Sequence, residues 1–211
     1  GLNRIVIDSP QPRLGIITSG KSYLDVRQAF DDLGIDEQLA AEIGIRLYKV
    51  GMVWPLEAEG VRHFAEGLDE ILVIEEKRQL LEYQLKEELY NWREDVRPRV
   101  IGKFDEQREW ILPSTGELTP AQIARVIARR IGRFHTSARI EQRLAFLEAK
   151  EAALAQPRPM LDRVRESLFG TLGELTSGAR VLVTDSDNLG KARAAGPKTW
   201  ANCEEDRADV G

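Results

Sequence analysis

The chain has 211 residues, of which 42% are hydrophobic and 31% charged, with a formal net charge of -5. That is enough to bury one full core with an annex but hardly two large domains, and the mild acidity with arginines spread along the chain excludes a nucleic-acid tail or basic stripe. No apolar run reaches the roughly 20 residues of a membrane helix, Gly1-Leu2-Asn3-Arg4 does not open as a signal peptide does, and the single Cys203 with His63 and His135 forms no zinc or cluster ligand set. The cytoplasm is the expected compartment, with no membrane and no nucleic acid among the partners.

Residues 1–12 read as an irregular lead-in or edge strand, because Pro10 and Pro12 lack amide donors and Ile5–Ile7 alone is strand-like. Leu14–Thr18 is the first core strand. From Ser22 to Leu33 the apolar positions Leu24, Val26, Ala29, Phe30 and Leu33 fall at helical spacing, and Gly34 ends the helix. A short helix over Glu37–Ile43 leads to a β-branched and aromatic strand, Ile45–Val50. Pro55 is expected in the first turn of the next helix, with Glu57 and Glu59 favouring its positive end. Ile71–Ile74, an apolar run between acidic pairs, reads as a strand buried on both faces. A helix over Gln79–Trp92, a strand over Arg99–Phe104, a helix opened by Thr119-Pro120 and a helix over Ala138–Ala155 follow. Alternation of strands and helices predicts a three-layer α/β sandwich with a mainly parallel sheet of four or five strands plus C-terminal helices. Residues 13–134 form the α/β domain, 135–165 a helical extension and 166–211 a tail, within which Arg180–Thr184 has strand character.

Gly15-Ile16-Ile17-Thr18-Ser19-Gly20-Lys21-Ser22 satisfies the phosphate-loop pattern G-x-x-x-x-G-K-[ST]. Its chemical reading is a nucleotide site in which backbone amides around Gly20 surround the phosphates, Lys21 neutralises them and Ser22 coordinates magnesium. Placement argues against it. Pro10–Arg13 is no strand, so Gly15 falls inside one, and the turn that remains, Ser19-Gly20, is too short to wrap a triphosphate. Neither histidine stands in a nucleophile context, and a helix-face or capping role suits each. Glu75 and Glu76, at a strand's carboxyl end, lie where open α/β sheets make ligand or partner contacts, but alternation separates their side chains and excludes an acid/base pair.

Leu14–Asp36 (LGIITSGKSYLDVRQAFDDLGID), Tyr48–Glu57 (YKVGMVWPLE), Glu70–Arg78 (EILVIEEKR), Gln84–Trp92 (QLKEELYNW), Arg97–Glu106 (RPRVIGKFDE) and Leu112–Ile127 (LPSTGELTPAQIARVI) together resemble one family. That family is the middle domain of the fused bacterial indolepyruvate:ferredoxin oxidoreductases, similar in fold to the C-terminal domain of transketolase; the resemblance runs from about Arg13 to Arg165. It implies an enzyme that oxidatively decarboxylates arylpyruvates to acyl-CoA, using thiamine diphosphate, magnesium and iron–sulfur clusters and reducing ferredoxin. It also implies that thiamine is held by flanking pyrimidine and diphosphate domains, the latter opening with a Cys-Ser-Gly-Cys-Pro-His motif where this chain reads Glu166-Ser167-Leu168-Phe169-Gly170. The expectation is therefore a chain with no catalytic, cofactor or metal residue of its own, inactive alone. Its contacts with flanking domains, and with a second copy in a full-length dimer, would come from Ser19, Gly20, Trp54, Pro55, Glu75 and Glu76, with Trp54 equally readable as core.

Overall fold

Six residues of strand, Leu14–Ser19 (β2), run through the middle of a five-stranded sheet ordered β1-β3-β2-β4-β5. The computed structural model describes residues 1–155, which form one compact unit, so the strand expected at 180–184 lies outside the described residues. In chain order the elements are β1 (Arg4–Ile7), β2, α1 (Gly20–Leu33), α2 (Glu37–Ile43), β3 (Ile45–Val50), α3 (Ala58–Ala65), β4 (Glu70–Ile74), α4 (Leu80–Leu89), β5 (Arg99–Ile101), α5 (Pro120–Ile131) and α6 (Ala138–Ala155). β2 pairs in parallel with β3 on one side and β4 on the other, and β4 with β5; only β1 is antiparallel, at the edge beside β3.

Alternation along the strands feeds two cores. Leu14 and Ile16 of β2, Ile45 and Leu47 of β3, and Leu72 and Ile74 of β4 pack with α1, α2 and α5. Ile17, Tyr48, Val50, Ile71 and Val73 point the other way, onto Val61 and Phe64 of α3 and Leu81, Leu85 and Leu89 of α4. The result is the three-layer α/β sandwich expected, with α6 joining the first face through Ile140, Leu144 and Leu147. Successive connections place β3 on one side of β2 and β4 on the other, so the winding reverses between β2 and β4.

Local chemistry explains most boundaries. Thr119 caps α5 with a complete capping box, accepting from the Gln122 amide while the Gln122 side chain accepts from the Thr119 amide, and Pro120 follows at the first helical position. α3 departs from expectation. It begins at Ala58, not Pro55, because the Glu57 carboxylate takes the amides of Glu59 and Gly60 and makes Glu57 the N-cap; Pro55, joined to Trp54 by a cis bond, stays in the loop. The strand expected over Arg99–Phe104 ends at Ile101, where Gly102 donates to the Phe104 carbonyl and the chain turns.

Gly15 is where the second face closes. A Cβ at this position would lie 2.4 Å from Leu68 Cδ1 and 2.8 Å from Phe64 Cζ, so only glycine lets α3 and the turn after it settle on the central strand.

At the amino ends of the strands the cover is ionic. Arg130 on α5 is buried, with Nε 2.7 Å from Glu70 Oε1 and Nη1 3.1 Å from Glu106 Oε2, and Arg133 pairs with Glu106 as well. Burial alone raises the Glu106 carboxyl, but hydrogen bonds from Arg133 and Arg130 outweigh it and hold the group at about 2 against an ordinary 4.5.

Gly15→Ala is expected to lower stability by roughly 1–3 kcal/mol through overpacking, read as a lower denaturant midpoint at constant m. Because the folded pKa of Glu106 is depressed, its contribution is fully present above about pH 4.5 and disappears as pH falls through about 2. Glu106→Gln should accordingly flatten the acid limb of stability against pH across that window, as measured by denaturant midpoints at each pH.

Candidate functional site

Four loops leave the carboxyl ends of β2, β3, β4 and β5, the edge at which doubly wound sheets usually meet their ligands and partners. At the end of β2, Ser19 is the N-cap of α1 without a side-chain capping bond, and Gly20 enters the helix at φ 54°. Thr18, just before them, is fully buried on the α1 face, in register with Lys49 and Ile74.

The phosphate-loop reading finds no support in this geometry. Gly15 and Ile17 are inside β2 and packed against the second core, leaving no loop to encircle phosphates. Lys21 Nζ is 2.9 Å from Asp25 Oδ2 and 3.2 Å from Glu117 Oε1, and these bonds, Asp25 foremost, raise its pKa. Ser22 is buried against the sheet.

The loop after β3 is held at both ends. The Asn3 side-chain oxygen accepts from the amides of Gly51 and Met52 at 2.9 and 3.0 Å. On α4, Gln84 Oε1 accepts from the Leu56 amide at 2.8 Å while its Nε2 donates to the carbonyls of Val53 and Leu80 at 2.9 and 3.0 Å. Between these anchors Trp54 stands 68% exposed, which overturns its reading as core. Met52 beside it, and Leu80 and Tyr83 on the adjoining start of α4, are exposed too. Pro55 shares the exposed loop.

The loop after β4 is polar and closed. Glu75 Oε1 accepts from the Leu81 amide at 2.7 Å and Oε2 from the Glu82 amide at 3.1 Å, so a buried carboxylate serves the otherwise unpaired first turn of α4. Burial pushes the Glu75 carboxyl up and the two amides work against that. Alternation holds: Glu75 turns in, while Glu76 is half-buried and offers its carbonyl inward. Both carbonyls meet Lys103, whose residue is 1% exposed. Its ammonium donates to the carbonyl oxygens of Glu75, Glu76 and Pro113, the last two at 2.9 and 2.8 Å. Burial depresses its pKa, and Glu75, Glu82 and Glu76 offset the effect. Glu82 completes the group, with Oε1 on Lys86 Nζ at 2.6 Å and Oε2 on the Lys103 amide at 3.2 Å. Gly102 is required there, since a Cβ would come within 2.1 Å of Glu82 Oε2.

Of the six residues expected at this edge, Trp54, Pro55 and Gly20 are exposed, Ser19 and Glu76 are partly so, and Glu75 is consumed internally. Sequence reasoning missed Lys103, Glu82 and Gln84. Lys103 sits next to a glycine in a presumed strand, and Glu82 with Lys86 has the i,i+4 spacing of an ordinary solvent-facing pair. The one available signal was a lone lysine continuing an apolar strand. The histidines stay out of the edge: His63 is exposed with Nδ1 3.3 Å from Glu66 Oε2, and His135 follows α5. Among the described residues no three His, Cys, Asp or Glu side chains group as metal ligands, and no helix is long and apolar enough to cross a membrane. The carboxylate oxygens of Glu75 and Glu82 are already matched to amides and Lys86, so they do not fit a magnesium diphosphate.

The class is thus a doubly wound α/β sandwich whose carboxyl edge carries a closed polar clasp beside an exposed aromatic loop. The chain belongs to the indolepyruvate ferredoxin oxidoreductase middle domain family, whose profile matches residues 3–157 and so takes in β1 as well as α6. It is similar to the indolepyruvate oxidoreductase subunit IorA of Thermococcus kodakarensis, 26% identical over 70% of this chain and 20% of that protein. The same subunit of Pyrococcus abyssi is 26% identical over 60% and 17%, and that of Methanothermobacter marburgensis 32% identical over 40% and 12%. The chain therefore spans about a fifth or less of the curated relatives it matches. A solved structure of 2-oxoglutarate:ferredoxin oxidoreductase from Magnetococcus marinus, with 2-oxoglutarate, coenzyme A and succinyl-CoA bound, aligns over 61% of this chain and 19% of its own at 19% identity and a TM-score of 0.42.

Replacing Lys103 with Met keeps the volume but leaves three carbonyls without their donor and removes the positive charge beside Glu75. The expected loss is roughly 3 kcal/mol of stability, with the Glu75–Gln79 and Gly102–Pro113 segments gaining amide exchange before the rest.

Proposed function

We propose that this chain is a non-catalytic interface domain of a thiamine-diphosphate-dependent indolepyruvate (2-oxoacid):ferredoxin oxidoreductase. In that reading the whole enzyme oxidatively decarboxylates arylpyruvates to acyl-CoA and reduces ferredoxin, and its thiamine, magnesium and iron–sulfur chemistry lies in flanking parts. This domain packs between the pyrimidine and diphosphate domains and helps set their separation, and it contributes to the dimer across which the sites assemble.

The observation that carries the reading is the contrast at the carboxyl edge. Four titratable groups there, Glu75, Glu82, Lys103 and Lys21, are bound to backbone or to the side chains of Lys86, Asp25 and Glu117. Apolar side chains, Met52, Trp54, Leu80 and Tyr83, are left outward on a loop and helix start that Asn3 and Gln84 hold fixed. A rigid exposed aromatic rimmed by matched polar groups is the composition of an interface anchor rather than of a reaction centre. The profile's own description as a middle domain, and relatives several times longer, fit a domain with neighbours.

Calorimetry of the chain with thiamine diphosphate and magnesium should show no binding, and a micromolar dissociation constant would sink the proposal. Trp54→Asp should leave the unfolding midpoint within about 0.5 kcal/mol of the parent, since the ring is exposed, yet weaken capture of separately produced flanking domains about tenfold or more.

A further inference from the structure

At the opposite edge of the sheet, four guanidiniums, those of Arg13, Arg99, Arg130 and Arg133, line a cavity of about 210 Å³ together with Asp69, Glu70 and Phe134. Glu106 closes the ion-pair group. Among the described residues the four cations face three carboxylates, Asp69, Glu70 and Glu106, which leaves one positive charge unmatched.

The surplus can be located. Arg130 is committed to Glu70 and Glu106, and Arg133 to Glu106. Arg13 uses only its Nε on Asp69, at 3.0 Å, and lies over the Phe134 ring at 4.6 Å from the centroid. Arg99 is different: its nearest carboxylate oxygens, on Glu106 and Glu70, are 3.7 and 3.8 Å away, beyond hydrogen-bond length, and its side chain is half exposed. A planar fork of donors is thus held at the cavity without a matched acceptor, beside a second guanidinium with free N–H groups and an aromatic wall.

We propose that this cavity binds a small monoanionic carboxylate with an apolar body, its carboxylate on the Arg99 fork and its body toward Phe134. A single negative charge neutralises the group. A phosphate dianion overshoots it and meets Asp69, Glu70 and Glu106 at close range, so the chemistry selects carboxylate over phosphate. Doubly wound sheets bind ligands at the carboxyl edge, so a site at the amino edge is separate from the interface proposed above and stands or falls without it.

The test titrates phenylacetate into the 211-residue chain by calorimetry or amide chemical shifts, with benzyl alcohol and inorganic phosphate as controls. The expected result is saturable phenylacetate binding with Kd of about 1 mM or tighter, and controls weaker by about tenfold or more. Arg99→Gln should weaken it by a similar factor with the unfolding midpoint held, because the Arg99 side chain makes no hydrogen bond to any described residue and its backbone amide bond to the Asp69 carbonyl is untouched. Arg99→Lys, which keeps the charge and loses the fork, should weaken it too and serves if the first variant folds poorly. Absence of saturation by about 10 mM, phosphate binding as tightly as phenylacetate, or affinity unchanged in both variants overturns the proposal.

Discussion

An ammonium removed from water must give all three of its protons to oxygens, and Lys103 does so to the backbone of two separate loops. Much of the carboxyl edge follows from that requirement. The carbonyls of Glu75 and Glu76 must turn inward, which fixes where β4 ends. Pro113 must come up against them, which folds back the segment after β5. With Glu75 and Glu82 both packed near the ammonium, α4 begins where its first amides can reach Glu75, and Gln84, one turn on, reaches the loop after β3. One buried cation thereby couples three of the four loops at this edge, and Trp54 is displayed from a surface with little freedom to rearrange.

Most of the framework was legible in the sequence because its determinants are local. The spacing of Val26, Ala29, Phe30 and Leu33 gives α1, the β-branched run gives β3 with the bounds found, and Thr119-Pro120 marks the start of α5. The rejection of a phosphate loop was also a local inference, from prolines ahead of Gly15, and the packing of Phe64 and Leu68 on that glycine supplies the reason it is there. What could not be read depended on partners far apart in the chain. Glu75 and Glu76 both read as residues of the contact edge because nothing nearby announces Lys103, 28 and 27 residues on. Trp54 was ambiguous between core and surface because its exposure is decided by Gln84, a polar residue inside an apolar helical stripe. Pro55 misled through a rule that is sound at helix starts, where Glu57 with its two amide bonds had the stronger claim.

The two edges differ in kind. The carboxyl edge combines hydrogen bonds to backbone with exposed apolar side chains; the amino edge relies on Arg–Glu pairs with little apolar cover beyond Phe134. Screening by salt acts on the second far more than on the first. Rising ionic strength should loosen the ends of β4 and β5 around Glu70 and Arg99 before it touches the Lys103 clasp, whose acceptors are buried dipoles.

The sheet's lateral ends have a consequence for how the domain meets other chains. β1 is a four-residue antiparallel strand whose register shifts between Ile5 and Ile7, and β5 has three residues before the chain turns back and brings Glu106 beside Arg99. A bulged strand on one flank and a truncated, ionically covered strand on the other offer no straight row of free amides and carbonyls to a strand from outside. Growth of the sheet by strand addition is thus discouraged on both sides, including the edge-to-edge pairing that seeds aggregation. For the described residues association is left to surfaces made of side chains, where shape and chemistry discriminate between partners in a way that backbone pairing does not.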